Sequence, residues 1–370
     1  MTLSFIHAAD FHLGADLRRL GAASMRLETA QFEALEKTLA AASDARAAFV
    51  VICGDLFDSR NPRQSILKKT DEIISRYADI NVFVLPGTHD FLSESSVYAH
   101  GNVGWKSRNL IILDETQSSP CHIPGCNCYL YFRANRSNRS QGSPIRGFAR
   151  KADDGFHIGL GHGSFLIPGL GTDNDYPITV PEAETSRLDY IALGHWHTPR
   201  IEVFGQTHIA YSGIPQPLSF SDPERGSVFF VRVSENNKVL IEPVATSTIS
   251  FKRISATIFH PIEVKRVIEK YADPDSVVKL VLSYSDNFTE AYEVEEIIKN
   301  SESRFLLLLS DNPNSPRFKP PSNGGRVVNE KLIEAYRAEL NRLRDNDSAE
   351  RAALYDKAYE LGVKIISGEI

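Results

Sequence analysis

Six consecutive residues, Ala48-Phe49-Val50-Val51-Ile52-Cys53, are apolar without a break and give way at once to Gly54-Asp55. Such a run is expected of a strand covered on both faces, so the chain must build layers on either side of it. The flanking segments agree. Leu3–Ala8 is a short apolar strand, and a helix pattern from about 22 to 42 puts Leu27, Ala34, Leu35 and Leu39 on one face. Asn61-Pro62 predicts the start of a second helix, with a capping side chain and proline at the first helical position. Asn81–Leu85 is a third strand, and this βαβαβ order predicts a mostly parallel, layered α/β core.

Further on, Phe156–Leu160 and Asp189–Leu193 are strands, while Ser227–Val233 and Lys238–Val244 flank a turn and read as a hairpin. A second unit begins near Ser250. Strands at Phe251–Phe259, Val277–Tyr284 and Phe305–Leu309 alternate with helices at Ile262–Tyr271 and near Ala291–Lys299, a small α+β arrangement. Residues 313–326 are rich in Pro, Asn, Ser and Gly and read as a linker. Two amphipathic helices should close the chain. The first carries Val328, Leu332, Tyr336, Leu340 and Leu343, and the second carries Leu354, Ala358, Leu361 and Ile365 behind Asp347 and Glu350. The expected units are therefore 1–247, 248–312, the linker 313–326, and 327–370.

Composition excludes several classes. With 42% hydrophobic and 24% charged residues the chain has an ordinary globular make-up. No apolar run approaches the roughly 18–20 residues that cross a bilayer, and the first residues lack a secretory signal, so no membrane and a cytoplasmic address are expected. A net charge of −6 is not that of a protein that coats nucleic acid, so contacts of that kind must come from local patches. Cys53 lies in an apolar strand. Cys121, Cys126 and Cys128 beside His122 could suggest zinc, but the C-x4-C-x-C spacing lacks paired knuckles and favours a turn and strand.

The strand ends are decisive. They carry Asp10-Phe11-His12, Gly54-Asp55-Leu56-Phe57-Asp58, Pro86-Gly87-Thr88-His89-Asp90, Gly161-His162-Gly163 and Gly194-His195-Trp196-His197. Sites in α/β sheets collect at the carboxyl ends of strands, so these groups converge on one small volume. Residues i and i+2 of an extended chain share a side, which pairs Asp10 with His12 and His195 with His197 and turns Trp196 away. Imidazoles and carboxylates without thiolate suit manganese, iron or zinc. So large a set exceeds the needs of one tetrahedral ion and points to two ions sharing a carboxylate, an arrangement used for displacement at phosphorus.

In this order the motifs resemble those of calcineurin-like metallophosphoesterases. The longer runs His7–Gly14, Ala192–His197 and Tyr211–Phe220 are similar to the SbcD-type DNA repair nucleases, over residues 1 to about 245. The resemblance implies a four-layered sandwich, two β-sheets flanked by helices, with a small α+β capping domain over the active site and C-terminal helices. It implies one ion on Asp10, His12, Asp55 and His197, and a second on Asp55, His162, His195 and residue 88, with manganese expected in both sites. His89 would bond the phosphate and donate a proton to the leaving oxygen, with Asp90 orienting its ring. Thr88 departs from the family's Asn. Its hydroxyl is a shorter, poorer donor, which predicts a weaker second site.

The resemblance further implies DNA cleavage by 3′-5′ exonuclease and single-strand endonuclease action in break repair, a homodimer, and a C-terminal segment docked on an SbcC-type coiled-coil ATPase. Arg60 and Arg63, just past Asp58, are candidates for the approach to the metals. The stretch from Arg133 to Lys151 is either a phosphate track or a solvated loop. Two other functions stay open: a phosphodiesterase or phosphatase on small-molecule or protein phosphoesters, and a scaffold subunit weakened at Thr88.

Overall fold

The structure is a computed structural model that describes residues 3–99, 104–114, 119–152, 154–166, 175–285, 288, 291–311 and 330–345, with 358–359, 361–363 and 365. The first part runs β1 (Leu3–Ala8), a 3-10 turn, α1 (Ser24–Asp44), β2 (Phe49–Cys53), α2 (Gln64–Ser75), β3 (Asn81–Leu85) and β4 (Leu110–Ile112). The middle comprises β5 (Cys121–Ile123), β6 (Cys128–Phe132), β7 (Phe156–His162), α3 (Val180–Ser186), β8 (Tyr190–Gly194), β9 (Arg200–Phe204) and β10 (Thr207–Tyr211). After these come β11 (Ser227–Val233), β12 (Val239–Ala245), β13 (Ser250–Ile258), α4 (Pro261–Tyr271), β14 (Asp273–Tyr284), α5 (Ala291–Lys299), β15 (Phe305–Asp311) and α6 (Glu330–Asp345).

Two six-stranded sheets form the body, in the orders β12-β11-β1-β2-β3-β4 and β5-β6-β7-β8-β10-β9. Strands β1 to β4 are parallel, and the β11–β12 hairpin adds antiparallel strands along β1. In the second sheet β6, β7, β8 and β10 are parallel, with antiparallel strands at both edges. The period of two explains the layering. Phe49, Val51 and Cys53 of β2 pack with Leu130, Ile158, Leu160 and Tyr190 between the sheets. Val50 and Ile52 point the other way, onto Phe32, Leu35 and Leu39 of α1 and Ile66 and Ile74 of α2. Behind the second sheet, Ile191, Leu193 and Ile209 pack on Ala183 of α3. Helices, sheet, sheet and helix thus form the expected mixed α/β sandwich. A fully buried side chain such as Phe49, at 0% exposure, contributes about 1.5–3 kcal/mol by area alone.

Strands β13, β14 and β15 form a third, parallel sheet with its own core, in which Val264 and Ile268 of α4 meet Val278, Leu280, Val294 and Ile298. It rests on the body through Phe251 and Val277 against Leu20, Leu27 and Ala30. Helix α2 begins at Gln64, two residues later than the start at Pro62 that Asn61-Pro62 predicts. Arg63 is still extended (φ −58°, ψ 146°) and caps the helix without a side-chain bond. The segment before it is held outside the helix, with the Arg60 carbonyl accepting from Val97 N at 2.8 Å and Asn61 N donating to the Ser59 hydroxyl at 3.2 Å. Within α6, the Tyr336 hydroxyl donates to the Ala358 carbonyl at 2.7 Å. The linker 313–326, Val328, Asp347, Glu350 and Leu354 lie outside the described residues, as does the Leu343 side chain. Among the described residues no helix is long and apolar enough to cross a membrane. Cys121, Cys126 and Cys128 sit on β5, the following turn and β6, and no metal-ligand cluster among the described residues includes them.

Buried polar groups also tie the sheets together. His7 on β1 donates from Nε2 to the Leu193 carbonyl at 3.1 Å and accepts at Nδ1 from the Tyr190 hydroxyl at 2.9 Å, both on β8. Burial pushes its pKa down to about 3, because the charged ring would lose its hydration with no carboxylate to replace it. Between pH 6.5 and that value the unfolded chain binds the extra proton. The stabilisation is therefore complete above about pH 6.5 and is lost as pH falls. Relative to His7→Gln, urea unfolding of the wild type with chelator present should lose about 1.4 kcal/mol per pH unit below pH 6. Parallel stability profiles for the two proteins would refute this.

Candidate metal centre

The singled-out side chains do converge at the carboxyl ends of β1, β2 and β3 in one sheet and β7 and β8 in the other. They do so by a different local geometry from strand alternation. Asp10 (φ 57°), His12 (φ 47°), Asp55 (φ 51°) and His195 (φ 103°) all have left-handed backbone, which costs about 1–3 kcal/mol for a residue with a Cβ. The sharp turns, rather than an extended i, i+2 pairing, aim the side chains inward. They are pinned by Asp10 N donating to the Gly54 carbonyl (3.1 Å) and His12 N donating to the Asp55 carbonyl (2.9 Å). Glycine is required where the sheets meet. A Cβ on Gly54 (φ 90°) would lie 2.0 Å from His162 Nδ1, and one on Gly194 would lie 2.0 Å from the Cys53 carbonyl.

Hydrogen bonds on the far nitrogens decide what each ring offers. His12 Nδ1 faces Asp58 Oδ1 at 3.1 Å, and His197 Nδ1 faces Asp222 Oδ1 at 2.7 Å. Donating these protons leaves a lone pair on each Nε2, and the two Nε2 atoms confront one another at 3.2 Å. Asp10 completes this group, with the ligand atoms of Asp10, His12 and His197 within 4.8 Å of one another. Two facing lone pairs beside a fully buried carboxylate are repulsive alone and favourable around a cation, so the donor set fits a divalent metal.

A second group forms around Asp55, which is 2% exposed. His162 Nδ1 donates to the Cys53 carbonyl at 2.8 Å, which turns its Nε2 to Asp55 Oδ2 at 3.2 Å. The Thr88 hydroxyl lies 3.1 Å from the same oxygen and 3.3 Å from His162 Nε2. The His195 ring stands beside that of His162, 5.4 Å between centroids. Burial alone would raise the pKa of Asp55, but the charge of and bond to His162 hold it well below the carboxylate range. Burial likewise works against the His162 cation, yet Asp55 raises that ring to about 10. The surroundings thus select positive charge at this point, whether proton or metal. Asp55 belongs both to this group, with Asp10 and His162, and to one with His12 and His89.

His89 is half-exposed, its ring 4.7 Å from that of His12. The expectation that Asp90 orients this ring is corrected. Asp90 is wholly buried and accepts from Gly87 N (2.7 Å), Phe57 N (3.0 Å) and the Tyr98 hydroxyl (2.6 Å). Those three donors leave it holding the two loops together, while burial, then the charge of Asp55, raises its pKa to about 6. The group beside the His89 ring is Asp58, with Oδ1 at 3.4 Å and its carbonyl at 3.3 Å from Nδ1. The bond to Asp58 raises His89 to about 9, so it carries a proton at neutral pH.

The cavity over these groups, about 500 Å³, is lined by His12, Asp55, Thr88, His89, His195 and His197. Its arginine is Arg19, which donates to the Leu218 carbonyl. Neither Arg60 nor Arg63 lines it. Arg60 lies over the Phe91 ring at 4.6 Å, and Arg63 pairs with Glu28 at 3.3 Å across a neighbouring groove. Within the basic stretch, Arg150 is committed to Asp189 by two 2.9 Å bonds, while Arg133, Arg136 and Arg146 line a separate groove.

Asp222 and Asp58 are the functional neighbours that the sequence reading missed. Asp58 stood within a singled-out motif but had no assigned task. Asp222, far from every motif ligand in the chain, had no signal except its place just after Tyr211–Phe220. Its Oδ2 accepts from Leu218 N, Ser219 N and the Ser219 hydroxyl, so the loop holds the carboxylate that holds His197. Asp222→Ala should weaken calorimetric manganese binding about 10–100-fold. Unchanged affinity in a variant that melts like the wild type would mean that Asp222 does not set the His197 ring.

Residues 3–199 match the calcineurin-like phosphoesterase family, more than half of the chain. YhaO, an uncharacterized metallophosphoesterase of Bacillus subtilis (strain 168), is 24% identical over 336 residues, 82% of this chain and 80% of its own. The SbcD component of the nuclease SbcCD, from the same organism, is 26% identical over 253 residues, covering 60% of this chain and 63% of that protein. Among solved structures, TT1561 of Thermus thermophilus aligns with a TM-score of 0.42 at 12% identity, over 66% of this chain and 99% of that one. With the motif ligands gathered at the strand ends of two facing sheets, and a profile match spanning them, the chain belongs to the calcineurin-like phosphoesterase family.

Proposed function

We propose that this phosphoesterase is a two-metal DNA nuclease of the SbcD type, acting as a 3′-5′ exonuclease and single-strand endonuclease in break repair and recombination. The observation that supports the two-metal part is the overlap of the ligand groups at Asp55, which belongs to one with Asp10 and His162 and to another with His12 and His89. Asp10, His12, Asp55 and His197 would hold one ion. Asp55, Thr88, His162 and His195 would hold the other, with manganese suited to both donor sets. Such ions, when bound, supply an activated water near neutral pH and neutralise charge on the phosphoryl oxygens. His89 is the proton donor to the leaving oxygen. Its Nδ1 faces Asp58 Oδ1 at 3.4 Å, which favours the protonated ring, and it stands half-exposed at the rim of the cavity where a substrate arrives.

The DNA substrate is supported by the similarity to the SbcD component of SbcCD. On this reading the unit built on β13 to β15 is the cap over DNA. The closing helices, where Leu361 and Ile365 are 54% and 49% exposed, are the segment that docks on an SbcC-type ATPase, within a homodimer. A second reading has a specific basis. The relative that covers 82% of the chain is an uncharacterized metallophosphoesterase, which leaves room for a small-molecule or protein phosphoester as substrate.

End-labelled single- and double-stranded DNA, incubated with manganese, magnesium or chelator, separates the two. The wild type should cut only with metal, Asp55→Ala should be inactive, and His89→Ala should lose about 10²–10⁴-fold. Hydrolysis of small phosphodiesters without any DNA cutting would select the second reading.

Thr88 yields its own test. Its hydroxyl reaches Asp55 and His162 but offers a shorter arm than an amide. Thr88→Asn should therefore reach half-maximal activity at lower manganese concentration than the wild type. Superimposable activation curves would show that the substitution leaves the second site intact.

A further inference from the structure

Between His195 and His197 the sequence places Trp196, expected to turn away from the metals. It does pack on the second sheet, its ring 4.7 Å from that of Tyr211 and nearly parallel to it, at 18°. Yet it is only half-buried and walls a pocket of about 470 Å³ with His195, His197, Thr198 and Arg200. We propose that Trp196 is a stacking platform for the nucleobase next to the scissile phosphate, an assignment that rests on the nucleic-acid substrate proposed above.

Three observations support it. The backing is rigid: Tyr211 is 2% exposed, donates from its hydroxyl to the Gly163 carbonyl at 2.7 Å and accepts from Phe165 N at 2.8 Å. An indole held on one face by such a ring offers its other face at no further cost in side-chain entropy. The place is right as well. The pocket shares His195, His197, Ser221 and Asp222 with the metal cavity, so a group stacked there is continuous with a phosphate at the metals. The charge is right for a base rather than a second phosphate. Arg200 spends two donors on Glu202 Oε1, at 2.9 and 2.7 Å, and the acidic Asp222 also lines the pocket. Stacking accepts any base, so the platform gives grip without sequence preference.

The chain has two tryptophans, and Trp105 is stacked on Phe57 away from this pocket, so Trp105→Phe leaves Trp196 as the sole indole reporter. Fluorescence of that variant, loaded with manganese, should be quenched saturably by nucleoside 5′-monophosphates and not by ribose 5-phosphate. Single-stranded oligonucleotides with a base or an abasic residue beside the cleavage point supply the second readout. The wild type should prefer the base on the order of 10-fold, Trp196→Phe should keep most of that preference, and Trp196→Ala should erase it. Equal quenching by the base-free sugar phosphate, or an undiminished preference in a Trp196→Ala variant that still binds manganese calorimetrically, would overturn the platform. Because the fluorescence arm needs no cleavage, a protein that cuts no DNA would sink the nuclease reading while the platform is still decided.

Discussion

Everything at the strand ends serves the burial of two carboxylates. Asp10 and Asp55 are 0% and 2% exposed at the junction of two sheets, where an ionised oxygen without a partner costs several kcal/mol. Positive charge must answer them, and the molecule supplies imidazoles whose inner nitrogens can take a proton or a metal. The far nitrogens are committed elsewhere, to Asp58, Asp222 and the Cys53 carbonyl. That commitment turns a collection of histidines into a set of aimed lone pairs.

The sandwich makes the burial possible. Asp10, Asp55 and Thr88 come from one sheet, His162 and His195 from the other, so each proposed ligand set draws on both sheets. The sheets are held at fixed spacing by Phe5, Phe49 and Phe83 against Ile158, Leu160 and Tyr190, and by the polar bridge from His7 to β8. Close approach at the edge then requires glycine: no side chain fits at Gly194 against the Cys53 carbonyl that orients His162. Left-handed backbone at four candidate ligands stores strain that this surrounding packing repays.

Charge also separates the roles of three neighbouring carboxylates. Asp55 is kept ionised by His162, and Asp58, despite partial burial, is drawn down to about 2 by its bonds to His12 and His89. Asp90 is instead raised to about 6 by burial and serves the loops with Phe57, Gly87 and Tyr98. Residues one position apart, His89 and Asp90, thus belong to different tasks: one faces the cavity, the other the core.

Local pattern alone determined a great deal. The unbroken apolar run of β2 demanded two covered faces, the alternation of strands and helices demanded parallel pairing, and Asp and His repeated after strands demanded a shared volume. These are properties of neighbouring residues, legible because burial and periodicity act over a few positions. Only the tertiary structure decided how the groups are aimed. It replaced an extended Asp10–His12 pair with left-handed turns, gave the His89 ring to Asp58 rather than Asp90, and brought in Asp222 from a distant loop. It also drew Arg60 to Phe91 and Arg63 to Glu28, and left Arg19 at the cavity. Such choices rest on which backbone or carboxylate lies across a sheet interface, a relation between residues far apart in the chain that no local spacing encodes.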